Sequence, residues 1–291
     1  MNKTLVGYFF LAFHLFALPA LAESVDFHVH VRSTATPQDA DYIDNVLAKM
    51  QEAGLAKAVL ISSGYLTEET ERAKSQIENE FVAQQAEKFP NKFIAACGVP
   101  LNVTWAHEEL ERCHTELKIK SVKVHPFGNS KKMNFQSVEI QQLFRTYFAK
   151  VDALDMIVLV HSAFYDPFSD IFLSVLARGF PNTPFVFFHT YFHNYRGLDY
   201  ALNYYDRTPN ARRNVFLELS WISDAYKDHI EKNVLLWYVR KWGVENTVFG
   251  SDSILTNTMV STLENLRKIG FTNQEIETML SVSSQKVLQY K

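Results

Sequence analysis

The sequence predicts a single (β/α)8 TIM barrel with an extra C-terminal helix, spanning residues 23–291. Eight short apolar runs alternate with amphipathic stretches, which is the pattern of repeated β/α units. The runs are continuously apolar, as expected for parallel strands that are buried on both faces. No linker rich in Pro, Gly or Ser divides the chain, and a barrel of this kind needs about 250 residues. A doubly wound open sheet is the alternative, but it leaves unexplained why polar residues recur at the carboxyl ends of the runs.

Residues 1–22 precede the predicted barrel and have the features of a cleaved signal peptide. Lys3 provides a positive charge, residues 5–18 are apolar, and residues 20–22 form a small-x-small cleavage site. A transmembrane anchor is the alternative, but the run is shorter than the roughly 20 apolar residues that span a bilayer. We therefore expect export, with a periplasmic or secreted protein after cleavage near Ala22 and no stable membrane anchor.

The eight predicted strands are residues 25–30, 57–62, 93–98, 121–125, 156–161, 185–189, 214–220 and 247–252. The first helix, 38–53, has apolar residues at helical spacing and is closed by Gly54. Later helices are predicted at 73–88, 106–117, 138–154, 168–178, 197–206 and 224–242, with closing helices at 259–268 and 274–289. Pro126 ends the fourth strand because it cannot continue a central ladder. Residues 63–72 form a polar loop, longer than the usual connection of about two to six residues.

Charge and cysteine content limit the classes of partner. The formal net charge is −3, and loss of Lys3 with the signal peptide leaves −4. A mildly acidic chain without a basic run does not favour a nucleic-acid partner.

Cys97 and Cys113 are the two cysteines of the chain. The sequence does not decide whether they form a disulfide or remain two buried thiols.

Polar residues stand at the carboxyl ends of five predicted strands. A lone histidine at one such position is usually a satisfied core or loop residue, but a closed barrel gathers all these ends into one mouth. Imidazole and carboxylate ligands suit Zn²⁺, with Mn, Fe, Co or Ni as alternatives. The residues concerned are His28, His30, Lys123, His125, His161, His189 and Asp252.

These motifs together resemble the amidohydrolase superfamily. The resemblance depends on three motifs: Asp26-x-His28-x-His30 in the first strand, Lys-x-His-Pro at 123–126, and Phe-Gly-Ser-Asp at 249–252. The last two pieces point to the amidohydrolase-related branch, which includes aminocarboxymuconate-semialdehyde and resorcylate decarboxylases and some lactonases. Residues 280–284 depart from the Asn-Ala pair that often precedes the family's last helix, which leaves the subfamily open.

The resemblance implies one divalent metal ion, with zinc the expected one, bound by His28, His30, His161 and Asp252. It places His189 beside the bound water or substrate, and makes Asp252 the acceptor of the proton of that water. Asp26 is implied to support the ligand imidazoles.

The role of Lys123 depends on whether the site holds one metal ion or two. In binuclear relatives a lysine on the fourth strand is carbamylated and bridges two metal ions. In the Lys-x-His-Pro branch the site usually holds one ion, and the sequence leaves open a catalytic lysine or one paired with a carboxylate.

Four further residues are predicted to contact substrate. Arg32 follows the His-x-His pair and suits an anionic group, with solvent exposure as the alternative. His193 follows the sixth strand and is placed on the rim. His125 and Glu218 end the fourth and seventh strands and are placed in the pocket.

The function predicted first is a metal-dependent hydrolase acting on a small ester, lactone or amide, because export favours hydrolysis of a compound met outside the cytoplasm. A non-oxidative metal-dependent decarboxylase and a non-catalytic exported metal-binding barrel are the alternatives. The expected partner is a small-molecule substrate, and a homodimer is left open.

Overall fold

The computed structural model describes residues 23–33, 42–126, 133–162, 167–190, 195–208, 213–220, 222, 231–253 and 258–290. Eight parallel strands form one sheet whose order follows the chain. The strands are β1 (Val25–Val31), β2 (Lys57–Ser62), β3 (Phe93–Gly98), β4 (Ser121–Val124), β5 (Ile157–His161), β6 (Phe185–Phe188), β7 (Val215–Leu219) and β8 (Thr247–Phe249). Each strand pairs with the next in parallel.

The last strand returns to the first, which nearly closes the sheet. The His30 N–H donates to the Ser253 carbonyl at 2.9 Å, and the Ser253 N–H donates to the His28 carbonyl at 3.2 Å. Val29 and Ser253 form the parallel bridge between these two ends. The predicted (β/α)8 barrel is therefore confirmed.

Helices follow the strands in the predicted alternation. They are α1 (Tyr42–Ala53), α2 (Arg72–Lys88), α3 (Ala106–Thr115), α4 (Val138–Ala153), α5 (Pro167–Arg178), α6 (Tyr195–Arg207), α7 (Lys232–Trp242), α8 (Thr258–Ile269), α9 (Asn273–Glu277) and α10 (Ser283–Leu288). A π-helical turn, Thr278–Val282, joins the last two and interrupts the predicted closing helix. The predicted polar loop after β2 contains two 3-10 helices, Ser63–Leu66 and Glu69–Glu71.

Alternating strand side chains divide the core into two layers. One layer lies between the sheet and the helices and includes Val29, Val122 and Val158. The other fills the barrel interior and includes Val59, Leu159, Val186, Phe216 and Val248. Because the interior is apolar beneath them, the polar residues at the strand ends form the mouth of a filled barrel.

Cys97 and Cys113 are bonded to each other, which decides between the two alternatives that the sequence left open. The disulfide joins β3 to α3 across 16 positions of sequence. A closed loop of this length stabilises a fold by about 3 kcal/mol through the entropy of the unfolded chain.

In the part of the chain that the structure describes, no helix has the length and apolar character needed to cross a membrane.

Candidate metal centre

β1 supplies two imidazoles and a supporting carboxylate. His28 and His30 converge on Asp252 at the mouth. A β-bulge between Asp26 and Val29 interrupts the alternation of side chains, so Phe27 also lies in the layer that fills the barrel interior. Asp26 Oδ1 accepts the backbone N–H of His28 at 2.9 Å and that of Ser251 at 3.0 Å. The side chain therefore ties β1 to the segment after β8, and it supports the histidines through the backbone.

Three donor atoms converge at the mouth, and we call them the donor cluster. They are His28 Nε2, His30 Nε2 and Asp252 Oδ1. The two nitrogens are 2.9 Å apart, and Oδ1 lies 3.1 Å from His28 Nε2 and 3.2 Å from His30 Nε2. Ligand atoms bound about 2.0–2.2 Å from one ion lie about 3 Å apart when their bonds meet near a right angle. The donor cluster therefore fits a divalent metal ion, with the opposite side left for further ligands.

The second ring nitrogen of His28, Nδ1, faces two polar side chains that orient the imidazole. Nδ1 lies 3.4 Å from Glu218 Oε1 and 3.3 Å from Ser220 Oγ. An N–H at Nδ1 that donates to the carboxylate leaves the lone pair of Nε2 directed at the donor cluster, as in other metal sites with a carboxylate behind a histidine. Gly250 makes room for this carboxylate, because a Cβ there would lie 1.7 Å from Glu218 Oε1.

The same carboxylate also holds His189. Glu218 Oε2 accepts the His189 backbone N–H at 3.0 Å and the Ser220 hydroxyl at 2.9 Å. Because the hydroxyl proton goes to the carboxylate, Ser220 Oγ accepts from His189 Nδ1, which lies 2.7 Å away. This leaves His189 Nε2 as the lone-pair nitrogen that faces the site. Atoms of His28, His189 and Asp252 that could bind metal all lie within 4.8 Å of one another.

Backbone strain marks two of these positions. His189 has φ of 59° and Asp252 has φ of 52°, both in the left-handed region that side chains with a Cβ rarely adopt. Each residue follows the end of a strand, β6 and β8. Such conformations are concentrated at functional sites, where the surrounding structure holds them in place.

Burial keeps the imidazoles neutral and therefore able to bind metal. It lowers the pKa of His28 and His161 well below the usual value for histidine, and that of His189 to about 3. Nearby cationic groups, Lys123 among them, lower these pKa values further. Burial raises the pKa of Asp252, but the hydrogen bond with His30 and nearby positive charge, including that of Lys123, outweigh it, so this pKa lies below its usual value.

The supporting carboxylates show the opposite shift. Burial raises the pKa of Glu218 to about 8 and that of Asp26 to about 7, although hydrogen bonds lower both values. The protein thus has one readily ionised carboxylate in the donor cluster and two less acidic ones behind it.

Lys123 lies inside the barrel beside these groups. Its side chain is 1% exposed, and Nζ has no hydrogen-bond partner among the described residues. Nζ lies 3.9 Å from the ring centroid of Phe188. Burial lowers the pKa of Lys123 to about 7, with Asp252 and Glu218 acting against that shift.

His161 and His125 form a ring stack next to the donor cluster. Their centroids are 3.9 Å apart, and the His161 ring meets His189 edge-on at 4.7 Å. The structure thus brings His161 to the mouth, in contact with His189. Its role as a metal ligand stays a prediction, as does the substrate contact of His125.

Tyr65 belongs to the site and was missed from sequence. Its hydroxyl lies 3.4 Å from His30 Nδ1, and its ring is parallel to that of His125 with centroids 5.8 Å apart. The residue lies in the loop that was predicted only as polar. A single aromatic in that loop was the one available signal.

The remaining predicted residues differ in position. Arg32 is exposed, and burial together with the charge of Arg32 lowers the pKa of His30, which places Arg32 near the mouth. Its contact with substrate stays a prediction. Both oxygens of buried Glu78 hold the next residue, Ser33, at 2.7 and 2.8 Å. Glu218 is buried behind His28, and its predicted contact with substrate stays a prediction. His193 lies outside the described residues.

Comparisons with known proteins agree with this fold. A model of the amidohydrolase family matches residues 25–270. No curated protein matched the chain by sequence.

Several solved structures share the fold at low sequence identity. A 2,6-dihydroxybenzoate decarboxylase from Rhizobium has 14% identity and a TM-score of 0.66, over 92% of this chain and 99% of that one. A 5-carboxyvanillate decarboxylase from Sphingomonas paucimobilis has 14% identity and a TM-score of 0.64, over 93% and 100%. A dihydroxybenzoic acid decarboxylase from a Polaromonas species, with bound manganese and the inhibitor 2-nitroresorcinol, has 14% identity and a TM-score of 0.64, over 92% and 97%.

Proposed function

The chain belongs to the amidohydrolase family, and from this premise we propose that it catalyses the metal-dependent, non-oxidative decarboxylation of a small carboxylic acid. The observation that carries the proposal is a donor cluster of two imidazoles and one carboxylate with the buried cation of Lys123 beside it. Such a mouth favours an anionic substrate. The decarboxylases among the similar structures support the same class of reaction.

The residues of the chain have separable tasks in this proposal. His28, His30 and Asp252 would hold the metal ion, with His161 as the predicted fourth ligand. When bound, the ion supplies a Lewis acid that polarises an oxygen of the substrate. Arg32, at the exposed rim, would attract the carboxylate as it enters.

Loss of carbon dioxide leaves a carbon that must receive a proton. Asp252 places Oδ1 in the donor cluster, which leaves Oδ2 as the atom that can carry this proton. His189 Nε2 is the second candidate, since Ser220 occupies its Nδ1. In either case the carbon–carbon bond breaks, carbon dioxide leaves, and a new C–H bond forms.

Hydrolysis of a small ester, lactone or amide, the function first predicted from sequence, is the second candidate. The placement of Asp252 and His189 favours it, because both are positioned to accept a proton from water near the donor cluster. The two reactions use the same residues and differ in their products.

Product analysis tests the proposal. Protein loaded with manganese or zinc would be offered 2,6-dihydroxybenzoate, 5-carboxyvanillate and a series of lactones and esters. The proposal expects carbon dioxide release, with one deuterium incorporated into the product in deuterium oxide. Acid release from lactones or esters without carbon dioxide would contradict it and favour the hydrolase.

Metal identity is part of the proposal. Zinc is the ion predicted from the ligand types, whereas the Polaromonas structure contains manganese. Reconstitution of metal-free protein with each ion, followed by the product assay, would identify the ion that supports turnover.

Export is proposed from residues 1–22, and the Cys97–Cys113 disulfide supports it because such bonds persist in oxidising compartments. Mass spectrometry of protein recovered from the periplasm or medium should give an N-terminus at Glu23. A full-length chain in the cytoplasm with reduced cysteines would contradict this. The homodimer stays a prediction.

A further inference from the structure

A buried ammonium group without an acceptor is unusual, because a polar group removed from water is normally hydrogen-bonded. Lys123 Nζ has no partner among the described residues, and the side chain is almost fully buried. The residue points into the barrel from β4, at the end where the donor cluster lies. An ammonium offers three donors and no acceptor, so the missing partner is an acceptor.

The two carboxylates whose charges act on Lys123 are already engaged. Asp252 Oδ1 is shared by His28 and His30. The oxygens of Glu218 are taken by His28, the His189 backbone and Ser220. Both raise the pKa of Lys123 through space, and neither forms a hydrogen bond with it.

Aromatic rings enclose the ammonium. The Phe188 ring covers it at 3.9 Å, and the Tyr65 ring lies 5.9 Å from Nζ. Tyr65 is parallel to His125, whose ring in turn stacks on His161. Among the described residues, ring faces of Phe188 and Tyr65 thus lie next to Nζ, and Lys123 supplies the ammonium.

The close approach of two glycines, Gly64 and Gly98, fixes the position of Tyr65 next to Lys123. A Cβ on Gly64 would lie 2.5 Å from the Gly98 carbonyl oxygen, and one on Gly98 would lie 2.6 Å from the Tyr65 nitrogen. Ser62 Oγ accepts the Gly64 N–H at 3.1 Å, which fixes the start of the turn. The turn Ser63–Leu66 therefore presses against β3, and Tyr65 faces the mouth.

We propose that Lys123, with the rings of Tyr65 and His125, forms a subsite that binds an anionic oxygen of the substrate. This oxygen is a second one, distinct from the group held at the donor cluster. The inference rests on the proposed function only in taking the occupant to be part of the substrate. The occupant is a phenolate, enolate or carboxylate oxygen, for which the ammonium supplies the missing counter-charge.

Affinity for an ionisable probe tests the subsite without measuring turnover. Wild-type protein loaded with manganese would be titrated with 2-nitroresorcinol, and binding would be followed by the absorbance of the nitrophenolate. The matched variants are Lys123→Met, which keeps the length of the side chain, and Lys268→Met, which removes an exposed lysine of α8. The metal content of all three proteins would be measured to exclude loss of the ion.

We expect Lys123→Met to weaken binding at least about tenfold and Lys268→Met to leave it unchanged. Equal affinity of Lys123→Met and wild type at equal metal content would overturn the proposal, as would absence of binding to wild type. Either result leaves the proposed decarboxylation standing if carbon dioxide release is observed, so the two can fail separately.

A crystal of wild-type protein soaked in bromide provides the second measurement if Lys123→Met does not fold. An anomalous peak within hydrogen-bonding distance of Lys123 Nζ is expected. A protein side chain or backbone oxygen bound to Nζ in that crystal, with no bromide, would overturn the proposal.

Discussion

Asp252 uses one carboxylate oxygen for both imidazoles of β1, and this sharing defines the site at the scale of single residues. The histidines and Asp252 were predictable because i, i+2 spacing on a strand and position at a strand end are read directly from sequence. Ser220 and Gly250 owe their roles to contacts across strands: one hydroxyl between two histidines and one missing Cβ beside Glu218. Such contacts depend on distances that spacing does not specify.

Asp252→Asn should keep the fold and abolish turnover. The amide preserves shape but removes the charge that attracts metal and the oxygen that carries a proton. Circular dichroism and product assays would check this, with His107→Ala, on the exposed face of α3, as the silent control. Near-normal turnover of Asp252→Asn would remove the residue from the reaction.

Glu218→Gln should lower metal affinity by about 10–100-fold, the usual effect of losing the carboxylate behind a ligand histidine. Glu218 faces His28 Nδ1 and is buried, so the amide leaves the volume unchanged and replaces one acceptor oxygen with a donor. Competition with a chelator would measure the affinity, and Glu264→Gln, at an exposed residue of α8, is the control. Equal affinities would show that Glu218 only supports the backbone of His189.

At the scale of elements, the bounds of the strands follow from their continuous apolar runs, and most predicted strands agree with the structure to within a residue or two at each end. The loops are different. The turn Ser63–Leu66 brings Tyr65 over His125 through a contact between two glycines from β3 and the loop after β2. The hydrophobicity pattern of the sequence does not show which residues of a loop contact a strand. The loop was therefore predicted as polar, and the position of Tyr65 at the site was not predicted.

Glu275 joins two elements and predicts a dependence of stability on pH. It receives two hydrogen bonds from Arg240 of α7 and caps α9 through the Thr272 N–H. The hydrogen bonds from Arg240 lower its pKa to about 2. A carboxylate with a lowered folded-state pKa stabilises the fold above pH about 4.5, and that contribution is lost as pH falls towards 2.

Glu275→Gln should therefore lower the free energy of unfolding by about 1 kcal/mol at pH 7, a modest value because the pair is near the surface. The difference from wild type should shrink between pH 4.5 and 2, as measured by urea unfolding. A difference that stays constant across this range would show that capping geometry, and not charge, accounts for the effect.

At the scale of the whole molecule, the barrel unites groups that are far apart in sequence, such as Asp26 and Ser251, which hydrogen-bond across the closure. The alternation of strands and helices made this closure predictable. The disulfide was left open because the distance between Cys97 and Cys113 could not be read from spacing. Substrate choice also belongs to this scale, since it depends on how loops from several strands meet at the mouth.

Cys97→Ser with Cys113→Ser should lower the free energy of unfolding by about 3 kcal/mol, the value expected for a closed loop of this length. Both sulfurs are buried, so a further loss from packing would add to this. Urea unfolding of the double variant and of oxidised wild type would measure the difference. Equal stability of the two would indicate that the native protein does not depend on the bond.

Metal content per chain, measured by elemental analysis, tests whether the donor cluster binds a metal ion. Purified wild-type protein and a His28→Ala, His30→Ala double variant would be compared, with His107→Ala as the matched control. The donor cluster predicts about one equivalent of a divalent metal in wild type and in the control, and none in the double variant. Absence of metal from wild type, even after incubation with manganese and zinc, would contradict the proposed metal centre and the reaction that requires it.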